Sequence, residues 1–165
     1  MPKKNPARVK KVSLNLPFGI GGAEWESDPT ERSAAWAIYV ELVTRIAVEP
    51  LGKDEGVLRE ALSSLYALFA VTRQVLRDAG PDVGIAKESV GGVAIAVLNR
   101  GLRPFLAKWH PLLQAWEAQR DPKTSPQEHG WKWSEEPKLR AELEELRKGL
   151  AQYADALAKI AGVEE

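Results

Sequence analysis

Arg103 and His110 stand seven residues apart in the run Arg103-Pro104-Phe105-Leu106-Ala107-Lys108-Trp109-His110. Seven residues make two helical turns, which sets a guanidinium and an imidazole on one face about 10 Å apart along the axis. Histidine is the side chain whose ordinary pKa lies near neutral pH, so this pair is the first candidate for chemistry in the chain. Arg100 lies one turn earlier on the same side. A second reading needs no site: Ala96, Arg100, Arg103, Ala107, His110 and Gln114 then form a solvated face opposite a Leu, Phe and Trp stripe.

Three other segments carry residue types that bind things. His129, Trp131 and Trp133 flank Lys132 in a long connection, and such aromatics can stack on a base or on a partner's side chain. Alternatively the connection folds back and its tryptophans cover the open end of a bundle. Gly19-Ile20-Gly21-Gly22 is glycine-rich, but a phosphate-cradling loop carries a Lys and opens directly onto a helix. Here Ala23-Glu24-Trp25-Glu26 follows, with two acids where phosphate would sit, so the segment reads as a flexible or partner-docked arm. Lys3, Lys4, Arg8, Lys10 and Lys11 form a basic tail with no acid among residues 1–11. It is a candidate contact for RNA, DNA or an acidic protein, or simply a solvated tail. Two histidines without an acidic neighbour at helical spacing do not make a metal site, and no metal or cofactor is expected.

The Arg103 to His110 run resembles the HEPN superfamily, helical bundles that often carry an Arg, four to six residues, then His. The resemblance implies RNA cleavage at a dimer interface, with His110 as acid and base and Arg103 holding the phosphate. The family usually places a polar residue after the Arg, where this chain has Pro104. Taken whole, the chain also resembles small bacterial helical proteins of conflict and defence loci. That resemblance rests on three segments: Tyr39-Val40-Glu41-Leu42-Val43-Thr44-Arg45-Ile46-Ala47, Glu60-Ala61-Leu62-Ser63-Ser64-Leu65-Tyr66, and Arg103 through Pro111. It implies a setting and names no active site.

The elements that must position these residues follow from apolar spacing. Leu139, Leu143, Leu146, Leu150, Tyr153, Leu157 and Ile160 recur at four and three, one stripe of a helix that Ser134 is expected to cap and Gly162 to end. Leu58, Leu62, Leu65, Phe69, Thr72, Leu76 and Ala79 repeat the rhythm before Gly80-Pro81. Asp28-Pro29-Thr30-Glu31 reads as a helix start. Trp36, Tyr39, Val40, Leu42, Val43, Ile46 and Ala47 form a wide apolar face before Pro50, predicting burial on more than one side. Between Lys87 and Gln119, Leu98, Leu102, Phe105, Trp109, Leu112 and Trp116 keep the spacing. Pro104 and Pro111 predict a kink there, or two abutting helices. Leu14-Asn15-Leu16 is compatible with a short strand that Pro17 and the glycines limit.

Length and composition bound the rest. The 165 residues suffice for one core. Lys plus Arg and Asp plus Glu are both 23, a zero net charge that argues against a protein built to coat nucleic acid or an anionic membrane. No cysteine is present, which removes disulfides and thiolate metal sites. No apolar run approaches the ~20 residues that span a bilayer. Pro17, Gly19, Gly21 and Gly22 interrupt the stretch a signal peptide needs, so the expected location is cytoplasmic.

The sequence therefore predicts an all-α chain. Residues 1–27 are expected as a basic, glycine-containing, irregular N-terminal arm, and residues 28–162 as an up-down-up-down four-helix bundle with a kinked third helix. The expected function is a non-catalytic interaction module that binds a protein partner or itself, with Trp109, Trp116, Trp131 and Trp133 as partner-binding residues. A metal-independent ribonuclease using Arg103 and His110 is the alternative.

Overall fold

A computed structural model of the chain describes residues 11–26, 28–45, 48, 50–52, 54–84 and 86–163, of which 68% are helical. The first described element departs from the all-α expectation. Strand β1 (Lys11–Leu16) pairs antiparallel with β2 (Gly21–Glu26), in a register from Lys11↔Glu26 to Leu16↔Gly21. Period-two alternation is the cause. Leu14 and Leu16 face inward with Trp25, while Ser13 and Asn15 face out, as does Glu24, whose carboxylate accepts from the Ser13 hydroxyl at 3.2 Å. Phe18 and Gly19 both take positive φ, 58° and 74°, as the central residues of a type I′ hairpin turn must. β1 ends at Leu16, before Pro17 as expected, while Gly19 helps close a hairpin whose return strand begins with Gly21 and Gly22. Residues 11–26 are ordered as part of the same core as the helices, which corrects the irregular arm expected for this stretch.

Helix α1 (Pro29–Val43) starts as the sequence predicts, with the Asp28 carboxylate accepting from the Glu31 amide at 2.8 Å. Its inner face is Ala34, Ala35, Ile38 and Leu42. Trp36 and Val40 point outward, so the wide apolar face is buried on one side only. The predicted continuation through Ile46 and Ala47 falls outside the described residues. Helix α2 (Leu58–Ala79) buries Leu58, Leu62, Leu65, Phe69 and Thr72 as expected. It ends at Gly80, φ 85°, before a short 3₁₀ turn at Pro81–Val83.

The segment expected as one kinked helix begins at α3 (Val90–Val97), capped by the Ser89 hydroxyl. It passes through a π turn at Leu98–Leu102 and continues as α4 (Arg103–Glu117). Pro104 cannot donate to the carbonyl one turn back, and the turn before it widens so that the Arg103 amide donates to Leu98. Pro111, by contrast, sits inside α4 without breaking it. A short helix, α5 (Pro126–Trp131), occupies the long connection. The last helix, α6 (Glu136–Ala161), buries every residue of its predicted stripe. It starts one residue later than Ser134 as a cap suggests, with Glu135 at the cap making no side-chain bond, and Gly162 closes it in the left-handed conformation.

Helix α1 packs on α2 and α6, α4 packs on the same two helices, and β1 lies along α6. The Gln152 side-chain amide of α6 donates to the Asn15 carbonyl at 3.1 Å, which ties the hairpin down. No helix of the described residues is long and apolar enough to cross a membrane.

Candidate functional site

Arg103 and His110 project from α4 towards α2, and each is engaged there by a different partner. The Arg103 guanidinium lies 5.3 Å from the Phe69 ring centre, and its Nε donates to the Asn99 side chain at 3.1 Å. Arg73 approaches the same ring at 5.7 Å. Tyr66, Phe69, Ala70 and Arg73 of α2 and Arg103, Leu106 and Ala107 of α4 line a groove that contains no carboxylate among the described residues.

His110 sits beyond that groove, edge-on to Tyr66 at 5.4 Å. Its Nδ1 lies 2.9 Å from Arg59 Nη1 and accepts from it, which places the ring proton on Nε2. Arg59 in turn forks the Glu117 carboxylate, its Nε lying 3.0 and 3.1 Å from the two oxygens. Sequence reasoning missed this His110–Arg59–Glu117 chain. Its members come from two helices 51 and 58 residues apart, and no local spacing signals such a pairing.

The tryptophans divide by burial. Trp109 is fully enclosed, at 0% exposure, and meets Trp133 edge-to-face at 6.1 Å. Trp116 stacks on the His129 ring at 4.3 Å and lies parallel to Trp133 at 6.3 Å. Its indole N–H donates to the His129 carbonyl at 2.9 Å, and His129 Nε2 donates to the Trp116 carbonyl at 2.7 Å. These contacts close the end of the helices and fix α5 to α4. Of the four tryptophans predicted to meet a partner, Trp131 alone is exposed, at 48%.

Below Trp131 lies a cavity of about 210 Å³. Leu58, Leu113 and Trp116 supply apolar and aromatic wall, and Arg59, Arg120 and Arg140 converge on it with Glu117 and Glu136. Arg140 pairs with Glu136 and reaches the Glu55 carbonyl. Arg120 donates to the Thr124 carbonyl at 2.7 Å and meets no carboxylate among the described residues. Arg120 stands in the Arg120-Asp121-Pro122 connection, so its type was visible in the sequence while its role was not.

Of the basic tail, Lys11 pairs with Glu26 across the hairpin at 3.6 Å, both side chains exposed. Lys3, Lys4, Arg8 and Lys10 lie outside the described residues. No group of three or more His, Cys, Asp or Glu side chains converges among the described residues as metal ligands would. No protein-family model, curated protein or solved structure matches the chain.

Proposed function

We propose that the chain is a non-catalytic interaction module that self-associates, built as an up-down-up-down four-helix bundle of α1, α2, the α3–α4 pair and α6. The observation that carries the reading is the outward face of α1. Trp36 is 51% exposed, stacks on Tyr39 at 5.8 Å and continues into exposed Val40 one turn on. Apolar surface gathered in one place on a folded chain marks an interaction site. Ser33 and Ala37 complete this strip, which carries no ionic side chain between Arg32 and Glu41. A self-complementary helix face of this kind suits a two-fold partner, and the zero net charge leaves little long-range repulsion between copies. The resemblance to bacterial defence-locus proteins supports an accessory role in such a system. Sedimentation over a wide concentration range tests the self-association.

A second reading, a HEPN-like metal-independent ribonuclease, is favoured by one feature. Arg73 and Arg103 meet around Phe69 in a groove without carboxylates, with His110 at its end. It predicts RNA cleavage that His110→Ala abolishes while folding persists. Intact RNA after incubation with the associated wild-type protein under varied conditions contradicts it.

A further inference from the structure

We infer that the cavity between the start of α2, the end of α4, α5 and the start of α6 binds a planar aromatic carboxylate. Three guanidiniums, Arg59, Arg120 and Arg140, face two carboxylates, Glu117 and Glu136, which leaves one positive charge uncompensated among the described lining residues. The surplus sits on Arg120, since Arg59 and Arg140 already hold Glu117 and Glu136. A guanidinium with donors to spare at the edge of a cavity takes a carboxylate in a forked, charge-assisted pair.

The aromatic half of the ligand follows from the walls. Trp131 presents about half its surface, and Trp116, Leu113 and Leu58 line the interior. An indole face beside an apolar wall favours a flat ring in an offset stack. Size sets the limit. The 210 Å³ space exceeds the roughly 150 Å³ that holds a benzene and falls short of the roughly 300 Å³ at which drug-sized pockets begin. One ring, or two fused, fits.

The platform is also pre-organised. Helix α5 is held by the reciprocal Trp116 and His129 bonds and by the Gln127 side-chain amide donating to the Asp54 carbonyl at 3.0 Å. The backbone that carries Trp131 is therefore held without a ligand, and less ordering entropy is lost on binding. The carboxylate has two sources, a small metabolite or the free C-terminus of a peptide ending in an aromatic residue.

Titration calorimetry of the full chain with indole-3-acetate tests the site, with neutral indole-3-acetamide as the matched control. The expected result is saturable binding of the acid that is at least about tenfold tighter than that of the amide. Arg120→Gln and Trp131→Ala alter exposed side chains and leave the fold intact, and each weakens binding about tenfold. Lys148→Gln, about two turns further along α6, leaves it unchanged. A peptide ending in Trp with a free carboxylate that binds tighter than indole-3-acetate places the source in a protein terminus, and weaker binding places it in a metabolite. No heat of binding at about 5 mM acid, equal binding of acid and amide, or full affinity in both variants overturns the proposal.

Discussion

The Phe18 ring occupies the space that a side chain on Gly149 would fill: a Cβ there would lie 2.5 Å from Phe18 Cε1. The other side of the ring presses on Gly101, where a Cβ would come within 2.7 Å. The tip of the hairpin is thus a knob held between two helical glycines, one in α6 and one in the π turn. Phe18 adopts φ 58° to reach them, a conformation that costs a bulky residue on the order of 1–2 kcal/mol.

Gly149→Ala separates helix propensity from packing. Propensity alone favours Ala in a helix interior by roughly 1 kcal/mol. The contact with Phe18 reverses the sign, and the variant is expected to lose about 1–3 kcal/mol in urea unfolding. In a Phe18→Ala background the same Gly149→Ala substitution is expected to cost little, because the clash requires both side chains. A stabilised Gly149→Ala variant refutes the docking.

Trp116→Phe keeps an aromatic ring on His129 but removes the indole donor, leaving the His129 carbonyl without that bond. Stability is expected to fall by about 1–2 kcal/mol. Hydrogen exchange in 126–131 rises more than in α2, since the bond fixes α5 in particular. Unchanged protection of this segment contradicts the role given to the Trp116 and His129 exchange.

Glu142 connects acid stability to the core. Its carboxylate accepts from Lys108 Nζ at 2.6 Å and from the indole of buried Trp109. The Lys108 hydrogen bond, aided by Trp109 and opposed by partial desolvation, holds it below the usual glutamate range. A carboxyl whose pKa is depressed by folding adds stability that is complete above its unfolded value, about 4.3. That stability disappears as pH falls through the lower folded value. Glu142→Gln is therefore expected to unfold at lower urea than wild type at pH 7 and to converge with it once the pH falls below the depressed folded pKa. A constant difference across that range shows that the charge is not what matters.

Much of this fold was legible because its two longest helices obey one rule. The stripes of α2 and α6 alternate at three and four, and the structure buries them accordingly, with only Leu76 and Ala79 at the end of α2 partly buried. Three features were hidden for distinct reasons. In α1, Trp36 and Val40 flank a row of Ala34, Ala35 and Ile38, and small residues that pack closely look less apolar than the large ones left outside. In the third segment, buried Val90, Val93 and Val97 are followed by Leu102, five residues on, then Phe105, Trp109 and Leu113. The π turn inserts one residue between Val97 and Leu102; further on, the buried step after Trp109 is four residues, to Leu113, so Leu112, read as core, is 45% exposed. The hairpin needs a Phe in the left-handed region, which no propensity suggests. At the candidate site, the aromatic residues were visible by type. The Arg59, Glu117, Arg120 and Arg140 surroundings depend on helix pairing that local spacing does not encode.

Trp36 bears most directly on self-association. Sedimentation equilibrium of the wild type is expected to show an apparent mass rising with concentration from 18.2 kDa towards that of a dimer. Trp36→Glu places a charge in the centre of the strip and holds the chain at the monomer mass, while unfolding of the exposed-site variant changes by no more than about 0.5 kcal/mol. A wild type that remains an 18.2 kDa monomer across the whole range, or a Trp36→Glu variant that associates as the wild type does, contradicts the account.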